Sequence, residues 1–136
     1  GYGIASYAHS LLKQFKGEWE YDTNWKMING HPKKAGWIKA IQEGQQKVRK
    51  GLKLDCPILV MSSNKSYPET KEWHNEYLSS DIVLDVHDIQ KYAPKLGEHV
   101  TRDTIPNGIH DLILSEKASR DYTYRTVFDW ITAKNF

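Results

Sequence analysis

The sequence lacks most of the features that would assign it to a specialised class of protein. Its single cysteine, Cys56, cannot form an internal disulfide bond, so nothing points to an oxidising compartment and we expect a cytoplasmic protein. No apolar run is long enough to cross a bilayer, which excludes an integral membrane segment. A formal net charge of +2 argues against a dedicated nucleic-acid binder, although lysine and arginine cluster at 33–53.

What is present indicates one soluble, globular domain. The 136 residues are 39% hydrophobic and 26% charged, enough to bury a core. Five tryptophans and eight tyrosines must occupy a core, a ligand pocket or an interface. The chain begins with Gly1 and has no initiator methionine, so we expect a piece of a longer protein.

The first segment, residues 1–54, is predicted to be helical, with loops between the helices. One helical face carries a set of apolar residues before Gly17 ends that helix: Ile4, Ala8, Leu11, Leu12 and Phe15. A second helix is predicted from Lys34 to about Lys50, and its inward face carries Trp37, Ile38, Ile41 and Val48.

The second segment, residues 55–136, alternates strands and helices. The apolar run at 56–61 predicts a parallel strand, in which Cys56 should be buried and inert. Ser66 and Glu69 form a capping-box pattern that predicts a helix toward Leu78. A short helix is expected at 88–92, an edge strand at 99–105 and a final helix from about Ser115, with Tyr124, Val127, Phe128 and Ile131 on one face. This order predicts an α/β fold with a parallel sheet.

Two polar residues follow the strand ends, where parallel sheets bind ligands. Asp81 lies in the loops after the first strand, and His110 comes just after the second. A histidine oriented by a carboxylate is the general base of a nucleophilic triad, and acid before histidine is the chain order of α/β-hydrolases. The alternative is a turn histidine bonded to nearby backbone. For Asp111, beside it, we expect a local turn bond.

Four stretches together resemble the C-terminal part of bacterial α/β-hydrolases: CPILVM (56–61), SDIVLDV (80–86), YAPKLG (92–97) and IPNGIHDL (105–112). The branch is the serine aminopeptidase, lysophospholipase or monoacylglycerol-lipase-like one. Gly17-Glu18-Trp19 and Ala35-Gly36-Trp37-Ile38 resemble its cap. The resemblance implies a cap-like segment at 1–54, and at 55–136 a few-stranded, mainly parallel sheet flanked by helices.

The resemblance also implies roles for individual residues. His110 matches the catalytic histidine, and Asp81 the catalytic acid, with Asp85 as the runner-up that could equally cap the next helix. The family's acid normally comes near the position of Ser66, so here it would be displaced beyond an inserted helix. Trp19, Trp25 and Trp37 are candidates to line the substrate pocket, or else pack the cap onto the sheet.

The nucleophile itself is missing from the sequence. No Gly-x-Ser-x-Gly pattern and no oxyanion-hole segment occurs in the 136 residues. We therefore expect a fragment of a serine hydrolase that cleaves carboxylic or lipid-like esters, inactive alone and needing no metal or cofactor. The alternative is a non-catalytic binding or assembly module, in which the exposed edge of a small sheet pairs two copies as a homodimer.

Overall fold

The computed structural model describes residues 4–135, and in that range four α-helices flank a two-stranded parallel sheet. The helices are α1 (Ile4–Leu11), α2 (Ala35–Lys50), α3 (Val86–Tyr92) and α4 (Lys117–Lys134). The strands are β1 (Ile58–Ser63) and β2 (Val100–Ile105). Short 3₁₀ turns lie at Asn75–Leu78, Ala93–Lys95 and Leu112–Leu114. The side chain of Ile4, predicted to face the core, lies outside the described part.

The sheet brings the two strand ends to one edge. β1 and β2 run parallel, with Ile58 opposite Val100 and Ser63 opposite Ile105. α3 connects them and packs on β1, and α4 packs on β2. The chain is thus of mixed α/β type with a parallel sheet, as expected. Because parallel strands end at the same edge, the segments after Ser63 and Ile105 meet there.

The core is small and most of it lies at this same edge. Its buried apolar residues lie in or just after α1, in two 3₁₀ turns, and at or after the end of β2: Ala8, Leu11, Leu12, Tyr77, Ala93, Ile105 and Ile109. β1 is fully buried only at its last two residues, Ser62 and Ser63. The most rigidly packed part of the described chain therefore surrounds the carboxyl ends of the strands.

The helix predicted from Ser66 to Leu78 is wrong. Residues 66–74 form turns and loop, and only Asn75–Leu78 is helical, as a single 3₁₀ turn. Ser66 does not cap a helix of its own: its hydroxyl donates to the carbonyl of Leu84 and accepts the N–H of Val86, each at 2.9 Å. The capping hydroxyl thus serves the start of α3, and the segment after it stays irregular.

The end of the first helix is also earlier than predicted. α1 ends at Leu11 and not near Gly17, because the N–H of Trp19 donates to the Leu11 carbonyl at 2.8 Å and turns the chain back. Gly17 lies so close to Leu11 that a Cβ there would overlap the Leu11 backbone. Gly17 therefore permits a tight return of the chain and does not cap a longer helix.

The apolar faces predicted to point inward on α2 and α4 are largely exposed. Trp37, Ile38 and Ile41 on α2 are exposed, and so are Phe128 and Ile131 on α4, together with Tyr124. Periodicity identifies an apolar face but not what covers it, and within residues 4–135 these two faces stay largely uncovered. Of the side chains predicted to point inward, only Val48 and Val127 are half-buried. Cys56 is likewise exposed and not buried, because the strand begins two residues later than expected.

None of the helices in the described range has both the length and the apolar content that crossing a membrane would require.

Candidate active site

Asp81 and His110 form a direct side-chain pair at the edge where both strands end. The Nδ1 atom of His110 lies 3.0 Å from Oδ2 of Asp81. Asp81 is almost fully buried, with 2% of its surface exposed, whereas the His110 side chain keeps 30%. A buried carboxylate thus holds an imidazole that solvent, or an incoming group, can still reach.

The backbone explains how an acid so far along the chain reaches this position. Asp81 forms a parallel bridge with Ser66: its N–H donates to the Lys65 carbonyl, and its carbonyl accepts from the N–H of Tyr67, both at 3.0 Å. The loop at 67–80 leaves and returns, so that Asp81 lies beside Ser66, three residues after the end of β1. Ser66 and Asp81 are thus neighbours in space although they are 15 positions apart in sequence.

A tight turn after β2 places the histidine. Asn107 adopts a left-handed backbone with φ of 54°, and its N–H donates to the side chain of Asn64 at 3.1 Å. At Gly108 an added Cβ would come within 2.8 Å of the tip of the Leu112 side chain, so a larger residue there would have to displace that side chain. Ile109 is then buried, and His110 emerges at the rim of the sheet.

The second oxygen of Asp81 is fully engaged as well. Oδ1 accepts the backbone N–H groups of Val83 and Leu84, each at 2.8 Å. Burial alone would raise the pKa of this carboxyl, but the hydrogen bonds from His110, Leu84 and Val83 outweigh it, and the pKa lies below its ordinary value. Asp81 is therefore an anion at neutral pH that can only accept hydrogen bonds.

This fixes the proton on the histidine. Because an ionised Asp81 has no proton to donate, Nδ1 of His110 must carry the hydrogen, which leaves the lone pair of the neutral ring on Nε2. The bond to Asp81 raises the pKa of His110; burial opposes this, and the charge of Asp111 adds to it. The pair is thus arranged as a base with a defined tautomer and strengthened basicity.

The other predicted site residues lie elsewhere. Asp85, the alternative acid, accepts the N–H of His87 at 2.9 Å and caps α3. Trp19 donates to the Leu114 carbonyl at 2.8 Å, Trp25 is 85% exposed, and Trp37 lies on the exposed face of α2. The assignment of these three tryptophans to a substrate pocket stays a prediction.

Tyr7 and Lys26, which the sequence did not point to, contact the segment that carries His110. The local turn bond expected for Asp111 is wrong. Asp111 makes no local turn bond with its carboxylate: Oδ2 accepts from the hydroxyl of Tyr7 and from Nζ of Lys26, each at 2.8 Å. The Tyr7 ring also meets the His110 ring edge-on, with 5.9 Å between centroids. These contacts join residues 104 and 85 positions apart, and no local pattern signals them.

The serines near the strand ends do not engage the histidine. The hydroxyls of Ser10, Ser62 and Ser63 each donate to a backbone carbonyl oxygen. In the described range no three or more histidine, cysteine, aspartate or glutamate side chains are grouped so that they could hold a metal ion.

No protein-family model matches this chain, and neither a curated protein nor a solved structure matches it.

Proposed function

We propose that this chain carries the acid and base of a serine hydrolase that cleaves carboxylic or lipid-like esters. His110 is the general base, Asp81 orients it, and the nucleophilic serine with its oxyanion hole is supplied by residues outside these 136. The observation that carries this proposal is the 3.0 Å contact between Nδ1 of His110 and the buried carboxylate of Asp81. The fold that goes with it is the C-terminal part of an α/β-hydrolase.

The chemistry follows from the tautomer. Nε2 takes the proton of the serine hydroxyl as its oxygen attacks the ester carbonyl, and the imidazolium that forms gives this proton to the leaving alcohol. Asp81 stays ionised throughout and stabilises the imidazolium. Both requirements on this chain's residues are supported: the carboxylate is fixed by three donors, and the imidazole retains an exposed fraction through which a hydroxyl can approach.

The substrate class depends on the sequence resemblance to lysophospholipase-like and monoacylglycerol-lipase-like hydrolases. An aromatic first segment, residues 1–54, suits an acyl or aromatic group, and Tyr7 and Trp19 of that segment bring it against the residues that follow His110.

The direct test restores the upstream half of the protein and measures hydrolysis of short and long acyl esters. We expect ester turnover that His110→Ala abolishes. His99→Ala serves as the matched control, because it removes a histidine from the other end of β2, and it should leave turnover unchanged. Turnover that survives His110→Ala would show that the base lies elsewhere.

A second candidate function, an assembly module without catalysis, is favoured by the uncovered surfaces. Each strand of the described sheet has only one neighbour, and the apolar faces of α2 and α4 are exposed, with Phe128 at 62%. Light scattering on the isolated chain tests this function. A stable dimer would support it, and a strict monomer at high concentration would count against it.

A further inference from the structure

Tyr7 reaches His110 and its neighbour from the far end of the chain. Its hydroxyl donates to Oδ2 of Asp111 at 2.8 Å and accepts the backbone N–H of the same residue at 3.0 Å. Its ring stands at 80° to the His110 imidazole. One side chain of α1 thus holds the main chain directly after the histidine, a second carboxylate and one side of the imidazole.

The second carboxylate is a potential competitor for the histidine. Asp111 is adjacent to His110, and a free carboxylate there could draw the ring away from Asp81 or hold it protonated. Tyr7 opposes the first effect by holding the carboxylate in place. Lys26 opposes the second by its charge, since its Nζ lies 2.8 Å from Oδ2 of Asp111 and 5.3 Å from the centroid of the Tyr7 ring. Burial would raise the pKa of Asp111, but Lys26 and Tyr7 together hold it below its ordinary value.

The hydroxyl of Tyr7 is suited to this role because it keeps its proton. Burial first, and then the hydrogen bond to Asp111, raise the pKa of Tyr7 far above its ordinary value. It therefore donates to Asp111 across the whole pH range in which a histidine titrates.

We propose that Tyr7 is a positioning residue for His110: it fixes Asp111 and the imidazole edge so that the ring stays on Asp81, while Lys26 neutralises Asp111. This inference rests on the proposed function, since positioning matters for catalysis only if His110 is the base. The groups that face the imidazole are then Asp81, Asp111, Lys26 and the Tyr7 ring.

A purely structural role for Tyr7 is the competing explanation, in which its bonds only tie α1 to the rest of the fold. The two explanations differ in what they predict for the histidine. A weakened anchor lowers stability but leaves the contact between His110 and Asp81, and with it the exchange rate of the Nδ1 proton, unchanged. A positioning network instead gives effects of opposite sign, because Tyr7 contributes geometry and Lys26 contributes charge.

The experiment follows the pKa, the tautomer and the Nδ1 proton of His110 by nitrogen and proton NMR in the 136-residue chain. In Tyr7→Phe we expect the pKa of His110 to fall toward its ordinary value and exchange of the Nδ1 proton to rise about fivefold, as expected for one lost hydrogen bond. In Lys26→Met we expect the pKa to rise, because Asp111 loses its counter-charge. Tyr124→Phe removes an exposed hydroxyl from α4 and should change neither.

The outcomes separate this inference from the proposed function. Tyr7→Phe with an unchanged His110, or both variants shifting the pKa in the same direction, overturns the positioning role and leaves the Asp81–His110 pair intact. If Asp81→Asn also leaves the tautomer and pKa of His110 unchanged, the proposed function fails as well. Should Tyr7→Phe not fold, Asp111→Ala decides, because it removes the carboxylate through which the Tyr7 hydroxyl is held beside His110: an unchanged exchange rate of the Nδ1 proton contradicts the inference.

Discussion

Replacing Asp81 by Asn should reverse the tautomer of His110 while leaving the fold in place. Oδ1 of Asp81 accepts two backbone N–H groups, so the carbonyl oxygen of an asparagine would keep that position. Its amide nitrogen would then face Nδ1 of His110 and donate to it. The histidine proton would move to Nε2, and this atom, which takes the serine proton in the proposed mechanism, would no longer be free.

The cost in stability can be bounded from the same contacts. Hydrogen bonds to a charged group contribute about 1.5–3 kcal/mol each and neutral ones about 0.5–1.5 kcal/mol. Three bonds lose their charge in the variant, but each keeps a neutral counterpart and all three are only part-buried. We therefore expect a loss of about 1–2 kcal/mol, or about 3–8 °C in Tm for a chain of this size. In the restored enzyme, kcat should fall by about 10⁴-fold.

Two measurements check this. Long-range nitrogen–proton NMR on the 136-residue chain distinguishes the two tautomers, and thermal denaturation gives the stability. Ser80→Ala, which changes the residue next to Asp81 without touching the carboxylate, serves as the control and should keep the proton on Nδ1. A proton that stays on Nδ1 in the asparagine variant would refute the reasoning, because it would mean that Asp81 does not set the tautomer.

Other expected outcomes follow from the same structure. Because folding lowers the pKa of Asp81, this residue contributes stability that is lost as the pH falls through the pKa of Asp81 in the folded state. Because folding raises the pKa of His110, this residue contributes stability that is lost as the pH rises through the pKa of His110 in the folded state. The free energy of unfolding, measured with urea, should therefore be highest between about pH 4 and 6.5, and Asp81→Asn should flatten that maximum. Gly97→Ala should destabilise the chain by several kcal/mol, because a Cβ there would overlap the backbone of Leu54. Gly44→Ala, in the middle of α2 where an added Cβ meets no other atom, should stabilise it by about 0.5–1 kcal/mol in the same urea assay; equal effects at the two glycines would contradict the packing at Gly97.

The part of the site that depends on local rules could be predicted from sequence. An apolar run and a β-branched run indicated the two parallel strands, and strand ends in a parallel sheet meet at one edge. Asp81 and His110 could therefore be expected near one another, and their side chains do make contact. The catalytic roles, in contrast, stay predictions, because geometry alone does not show turnover.

The part that depends on tertiary contacts could not be predicted. Asp111 was expected to bond locally, since adjacent side chains point apart, yet it pairs with Tyr7 and Lys26 from the first segment. The apolar periodicity of α2 predicts a covered face, but the structure leaves that face exposed. Periodicity alone does not show whether a partner covers an apolar face. The helix predicted from the Ser66 capping pattern is absent for a similar reason. The Ser66 hydroxyl bonds instead to Leu84 and to Val86 at the start of α3, 18 and 20 residues away.

The bridge between Ser66 and Asp81 lets the proposed acid lie near β1 although it comes 18 positions after that strand ends. What the proposed chemistry requires is a carboxylate at the end of β1, within reach of the segment after β2, and not a carboxylate at a given number of residues from the strand. The loop at 67–80 is closed by the buried Tyr77, whose hydroxyl accepts the N–H of Thr70 and donates to the carbonyl of Glu72. The loop thus folds on itself and returns to the strand end, where backbone hydrogen bonds with Lys65 and Tyr67 hold Asp81. A search for the proposed acid by sequence spacing alone would look at Ser66 and miss Asp81.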